Sequence, residues 1–319
     1  MTEHFIQRID KPVLALVGPT AIGKTALSLE LSQQFNCEII SVDSMQVYRY
    51  MDIGTAKAGK EEQQLVPHHL IDIVDPDEDY NAARFVKDCL AAIELIHAHD
   101  SIPLLTGGTG LYFQALKQGL FQIPAADPQI RHALKQRLQE EGSSSLHQEL
   151  LVYDPQSAKR IHENDSSRII RALEVFLSTD VPMSDHLKQQ IADGNDVKFS
   201  NFISIGLTCD RDLLYQRINL RTAQLFELGL ESEVMGLLDR GFGPELKTMQ
   251  SIGYRHMIHY IHGDWTLDQC SENLARDTRR YAKRQFTWFN NDNSINWFDK
   301  TDSDQILSYI EQELEKFFL

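Results

Sequence analysis

Eight consecutive residues, Gly18-Pro19-Thr20-Ala21-Ile22-Gly23-Lys24-Thr25, fit the pattern glycine, four free positions, glycine, lysine, hydroxyl residue. The chemistry of that pattern is phosphate binding. Loop amides and the start of a helix face an anion, Lys24 adds a point charge, and the Thr25 hydroxyl can hold Mg2+. A diphosphate or triphosphate is the expected ligand, and nucleotide binding, ATP included, is what the motif by itself suggests. A second reactive group stands one strand further on: Asp43, heading Asp43-Ser44-Met45-Gln46. Functional side chains gather at the carboxyl ends of parallel strands; capping the following turn is the competing role for such an aspartate.

These groups need a frame. Val13-Leu14-Ala15-Leu16-Val17 is apolar and branched enough for a buried strand, and a helical pattern with Leu27, Leu31 and Phe35 follows the loop. Further strands are expected over 37–42, 102–105, 201–207 and 295–298. The strand over 102–105 closes on Thr106-Gly107-Gly108-Thr109-Gly110, whose glycines allow close backbone approach. No aspartate stands at that strand tip, where many ATPases hold magnesium, and this weakens an ATPase reading. The sum is an α/β fold: a P-loop NTPase-like parallel sheet flanked by helices. Residues 125–199 turn polar and helix-rich and read as an inserted helical subdomain. The catalytic core then covers 1–124 and 200–319.

The chain has 319 residues and a net charge of −15, which excludes general polyanion binding and leaves room only for local basic patches. Cys37, Cys89, Cys209 and Cys270 lie far apart, as in a reduced cytoplasmic protein. No signal peptide or membrane-spanning run is apparent. His68-His69 point to opposite faces of a strand and suit hydrogen bonding better than shared chelation. A helix is expected over 80–99, capped by Asn81. Arg217 and Arg221 fall on one helix face. Lys159, Arg160, Arg168 and Arg171 form one basic cluster. Arg276, Arg280 and Arg284, with Lys283 beside them, form a second, on a helix whose Phe286 and Phe289 face inward.

Taken in order, several blocks resemble the tRNA dimethylallyltransferases over nearly the whole chain. They are residues 18–25, 41–49 (SVDSMQVYR), 52–57 (DIGTAK), 67–73 (PHHLIDI), 107–113 (GGTGLYF), 168–175 (RIIRALEV), Gly253-Tyr254-Arg255 and Ala282-Lys283-Arg284-Gln285. The resemblance implies transfer of a dimethylallyl group from dimethylallyl diphosphate to the exocyclic amine of the adenine at tRNA position 37, in tRNAs reading codons that start with U. Asp43 matches the general base. An aromatic amine is a poor nucleophile, so a carboxylate to take its proton is chemically apt. The loop amides, Lys24, Mg2+ near Thr25 (Asp43 being a possible second ligand) and Arg217 would stabilise the leaving diphosphate. The target base would flip out of its stack. The resemblance assigns tRNA contacts to Asp43, Ser44, Met45, Gln46, Thr109, Arg131, Ser167, Arg168, Ile169, Ile170 and Arg171. It assigns others to Gln250, Ser251, Ile252, Gly253, Tyr254, Arg255, Thr278, Arg279, Arg280, Tyr281, Ala282, Lys283, Arg284 and Gln285. Ser167, Gln250, His256 and Arg280-Tyr281 depart from the family pattern, and touch tRNA recognition rather than chemistry. A monomer is expected. The alternatives are a P-loop small-molecule kinase and an isopentenyltransferase acting on free adenine nucleotides.

Overall fold

The structure, a computed structural model, describes residues 7–119, 127–193 and 197–318. The order is β1 (Gln7–Ile9), β2 (Val13–Val17), α1 (Lys24–Phe35), β3 (Cys37–Val42), α2 (Lys60–Leu65), β4 (His68–His69), α3 (Ala82–Ala98), β5 (Ile102–Gly107) and α4 (Gly110–Gln118). Then come α5 (Pro128–Tyr153), α6 (Pro155–Arg160), α7 (Ser166–Thr179), α8 (Met183–Asp193), β6 (Val197–Phe199) and β7 (Phe202–Thr208). The chain closes with α9 (Arg211–Glu227), α10 (Leu230–Asp239), α11 (Tyr254–Ile261), α12 (Leu267–Phe289), β8 (Ile295–Asp299) and α13 (Ser303–Phe318).

Six strands form one sheet in the order β4-β3-β5-β2-β7-β8, with every pairing parallel. β2 lies in its middle and all five of its residues are buried. A continuous apolar run is what a strand covered on both faces requires. Each fully buried aliphatic side chain contributes ~1.5–3 kcal/mol relative to exposure, so the strand carrying the phosphate loop is firmly anchored. The register sets the carboxyl ends level: Val17 lies opposite Gly107, and Gly107 opposite Val42. The phosphate loop, Asp43 and Gly108 therefore leave the sheet side by side. Around the sheet, Leu31 of α1, Ile218 of α9 and Ile306 and Ile310 of α13 close one core with Leu14, Leu16, Leu104 and Ile205.

The chain divides into two compact units, Arg8–Lys117 with Lys198–Leu319, and Gln118–Val197 with Gln7. The expected boundary at 124/125 lies outside the described residues. The other expected limit, 199, runs past the helices: Val197–Phe199 is strand β6, paired with β1 in a separate two-stranded sheet. Three residues are too few for their alternation to show in sequence.

The helical unit has its own core, in which Leu134, Leu146 and Leu150 meet Ile169 and Leu173. Gly142 breaks α5 into two helical stretches with φ 82° and ψ 167°. Asp154 is buried and caps two helices at once: Oδ1 accepts from Ser157 N and Oδ2 from Ser184 N, both at 2.9 Å. Burial alone would raise its pKa. The hydrogen bonds from Ser157 and Ser184 outweigh that and hold the carboxyl below its ordinary value.

Smaller expectations can be checked directly. Asn81 caps α3, its Oδ1 accepting from Ala83 N and Arg84 N. His68 Nδ1 pairs with Val66 O and His69 Nε2 with Glu38 Oε2, each at 2.7 Å, so the two rings serve different partners. The cysteines are free. Phe289 is buried and Phe286 packs against the main core. Among the described residues no helix is long and apolar enough to cross a membrane.

Candidate active site

Between the end of β2 and the start of α1 the phosphate loop turns on positive φ at Gly18 (147°), Ala21 (64°) and Gly23 (116°). Only glycine adopts the Gly23 conformation without strain. Ala21 pays ~1–2 kcal/mol for the left-handed region, and Arg217 pins it there, Nε donating to Ala21 O at 2.8 Å. Lys24 Nζ donates to the carbonyls of Gly18 and Pro19, 2.9 Å each. Arg221, one turn beyond Arg217 on α9, approaches Thr20 Oγ1 at 3.5 Å.

These cations are crowded. Burial pulls the Lys24 pKa down to about 7; Arg221 beside it adds to the drop and Asp43 opposes it. Arg221 is lowered by burial too, against the pull of Asp43 and with a further push from Arg217. None of Lys24, Arg217 and Arg221 forms an ion pair with a described acidic residue; their hydrogen bonds go to loop oxygens. Positive charge held in a cleft without a carboxylate partner is the electrostatic signature of an anion site.

Asp43 fills both of its candidate roles. Its Oδ1 accepts from Met45 N (2.8 Å) and Gln46 N (3.3 Å), which caps the turn, and the residue also lines a cavity of about 790 Å³ together with Lys24, Thr25, Arg217 and Arg221. That volume suits a small organic ligand, the usual range being ~300–1,000 Å³. Ser44 N donates to Thr109 Oγ1 at 3.0 Å, tying the Asp43 turn to the end of β5. Another wall is the segment Gly54-Thr55-Ala56. It is fixed by Glu233, whose carboxylate accepts from the amides of Asp52 (3.0 Å), Ile53 (2.6 Å) and Gly54 (2.9 Å) and from Tyr254 Oη (2.6 Å). Successive amides gathered on one anion form a backbone nest.

With this geometry in place, comparison with known proteins decides the family. The family model described as IPP transferase matches residues 46–292, and a second, isopentenyl transferase, matches residues 11–75. The chain belongs to the IPP transferase family. It is 54% identical over 310 residues to a protein of Desulfotalea psychrophila named tRNA dimethylallyltransferase, covering 97% of this chain and 98% of that one. It is 46% identical to a tRNA dimethylallyltransferase 2 of Geotalea uraniireducens, covering 91% and 93%. A solved tRNA isopentenylpyrophosphate transferase from Bacillus halodurans superposes with a TM-score of 0.70 at 42% identity, over 97% of this chain and 98% of that one. A eukaryotic dimethylallyltransferase described as acting on tRNA superposes at 0.75 and 30%, over 93% and 75%.

Most of the sequence-assigned residues fall in three overlapping groups. Thr20, Lys24, Thr25, Asp43, Ser44, Met45, Gln46, Arg217, Ser251, Ile252, Arg255, Thr278, Tyr281, Arg284 and Gln285 line the one cavity. Arg131 and Ser167–Arg171 lie in the helical unit, where Glu174, fully buried, accepts from Arg171 Nη1 at 2.9 Å and has Arg131 Nε 4.0 Å away. A third group is buried: Ile169, Ile170, Tyr254 and Ala282 face cores. Their side chains are at most 6% exposed, so the contacts assigned to them from sequence would fall to the main chain. Gln46 is engaged at both ends, accepting from Ser41 Oγ at 2.9 Å and donating to Thr55 O and Ala56 O at 3.4 and 3.3 Å. Hydrogen bonding to adenine through this amide requires those long bonds to yield.

Three residues carry roles that sequence reasoning missed. Arg221 was visible only as the residue four after Arg217. Glu233 gave no signal at all. Asp277 collects Arg255 (2.7 Å), Arg276 (3.3 Å), Arg280 (3.6 Å) and His256 (3.2 Å), gathering basic side chains of α11 and α12 on one carboxylate. Burial, helped by Arg255, drops His256 to about 4 against the pull of Asp277, so the ring is neutral at neutral pH.

Proposed function

We propose that this protein transfers the dimethylallyl group of dimethylallyl diphosphate to the exocyclic N6 amine of an adenosine in tRNA, next to the anticodon. The observation that carries the reading is the shared cavity: an aspartate and a phosphate loop with three unpaired cations open on the same space at the carboxyl edge of the sheet. In the transfer, the carbon–oxygen bond between the allyl group and the diphosphate breaks, a carbon–N6 bond forms, and the N6 proton passes to Asp43. Asp43 already holds the turn through Oδ1, which leaves Oδ2 to take that proton. Lys24, Arg217 and Arg221 bind the diphosphate and stabilise the charge it gains on leaving.

The oxygen donors at the site suit magnesium delivered with the diphosphate. Among the described residues no cluster of three or more His, Cys, Asp or Glu could hold a metal, and Mg2+ favours one or two protein oxygens plus phosphate oxygens and water. Thr25 would hold it, leaving Asp43 free as the base, and it would neutralise charge on the diphosphate. The exposed Arg168, Arg280, Lys283 and Arg284 are the groups we assign to the tRNA backbone. The free cysteines support a cytoplasmic setting.

Incubation with unmodified tRNA, dimethylallyl diphosphate and Mg2+ should yield N6-dimethylallyladenosine by nucleoside mass spectrometry, and chelation of Mg2+ should suppress it. Product from free adenosine monophosphate but none from tRNA would overturn the choice of acceptor.

A further inference from the structure

Gln285 belongs to a block that sequence resemblance assigns to tRNA contact. Its side chain is only 5% exposed, and both ends of its amide are engaged by main chain. Oε1 accepts from Thr20 N at 2.8 Å and Nε2 donates to Gly108 O at 2.9 Å. Thr20 lies in the phosphate loop after β2, and Gly108 follows β5, the neighbouring strand whose end is level with it. The same segment reaches the base. Thr109 N donates to Val42 O at 3.2 Å and Thr109 Oγ1 accepts from Ser44 N at 3.0 Å, with Asp43 between those two residues. A Cβ on Gly108 would collide with the Gln285 amide, so the close approach is built into the backbone. The amide has one workable orientation, because its N–H must meet the carbonyl and its C=O the loop N–H.

We infer that Gln285 is a positioning residue for the transfer step. Its amide sets the spacing between the loop that grips the diphosphate and the turn that carries Asp43, and it touches neither substrate. The inference rests on the reaction proposed above. Reacting atoms must sit within near-attack distance, and a displacement of 1 Å can cost ~100-fold in rate. The Thr20 amide, being taken, also leaves phosphate binding to the amides from Ala21 onward.

Two variants test this against the wild type, with product formation by the wild type testing the reaction itself. Gln285→Met keeps the length and loses both hydrogen bonds. It should lower kcat ~100-fold while leaving KM for dimethylallyl diphosphate and for tRNA within about threefold, the pattern of a lost transition-state arrangement. Gln285→Glu keeps an acceptor for Thr20 N but sets a carboxylate against Gly108 O; protonation restores a donor. Its kcat relative to the wild type should therefore rise as pH falls, and that of Gln285→Met should not. A raised KM for tRNA with kcat retained would overturn the inference in favour of direct RNA contact. A lowered melting temperature with kcat per folded molecule unchanged would reduce Gln285 to a packing residue. No product from the wild type would overturn the reaction and this inference together.

Discussion

Lys24, Arg217 and Arg221 crowd the phosphate loop with no carboxylate at ion-pair distance, whereas Arg131 and Arg171 of the helical unit gather on the buried Glu174. Both regions are basic, and they differ in who supplies the negative charge. Around the loop the protein leaves it out, and burial, with Arg221 beside it, lowers the Lys24 pKa further than Asp43 can restore. In the helical unit the protein supplies it: Glu174 holds Arg171 by a hydrogen bond, stands 4.0 Å from Arg131, and leaves a smaller net charge for a partner. A ligand with two or more negative charges should bind the first region tightly. The second, its charge partly met from within, should bind such a ligand more weakly.

The strongest way to break this comparison is at Asp43, the one acid among the described residues that line the cavity with these cations. Asp43→Asn keeps the Oδ1 hydrogen bonds of the turn and removes the base. Single-turnover rates should fall ~100- to 10,000-fold, the usual worth of general base catalysis, with tRNA affinity unchanged. An equal loss of affinity would mean that the turn, not the base, had been damaged.

Arg221→Gln comes next. Diphosphate binding, followed by calorimetry, should weaken about tenfold, as expected for one charge-assisted hydrogen bond. The pH dependence gives a sharper readout. Diphosphate favours protonated Lys24, so wild-type affinity should decline as pH rises above about 7. Removing Arg221 removes a like charge, raises the Lys24 pKa and should move that decline to higher pH.

In the helical unit, Glu174→Gln should cost about 1–3 kcal/mol in denaturant unfolding, because two arginines lose their shared partner. Diphosphate binding should be unaffected, which would separate the two regions cleanly. The smallest effect is expected at Asp154. Its folded-state pKa is depressed, so its contribution to stability is present above the ordinary carboxyl value and is lost as pH falls through the folded one. Acid unfolding of the Asp154→Asn variant should accordingly be less steep than that of the wild type.

The sheet was legible because it is built from short apolar runs that end in glycine or aspartate, and Asp43 could be placed by the strand before it. The phosphate loop announces itself in eight adjacent residues. What sequence could not supply was the rotation of helices. Whether Gln285 faces RNA or the loop depends on how α12 turns against residues 265 positions away, and nothing local encodes that. The same holds for Tyr254 and Ala282, which keep the family's letters but point into a core. Arg221 was half visible, its spacing from Arg217 being helical. Glu233 shares its helix with Glu231 and Asp239, and what sets it apart is the three amides and the Tyr254 hydroxyl it meets.

Glu233 also means that this molecule owns two oxyanion cradles, and only one of them is for hire. The cradle at residues 52–54 is permanently filled by a tethered carboxylate, which no dilution or dialysis can remove. Amide hydrogens there should exchange slowly in the free protein, while those at residues 21–25 should become slow only once diphosphate arrives. The protein thus carries an internal standard for its own substrate site, a wall that is already rigid before the reaction begins.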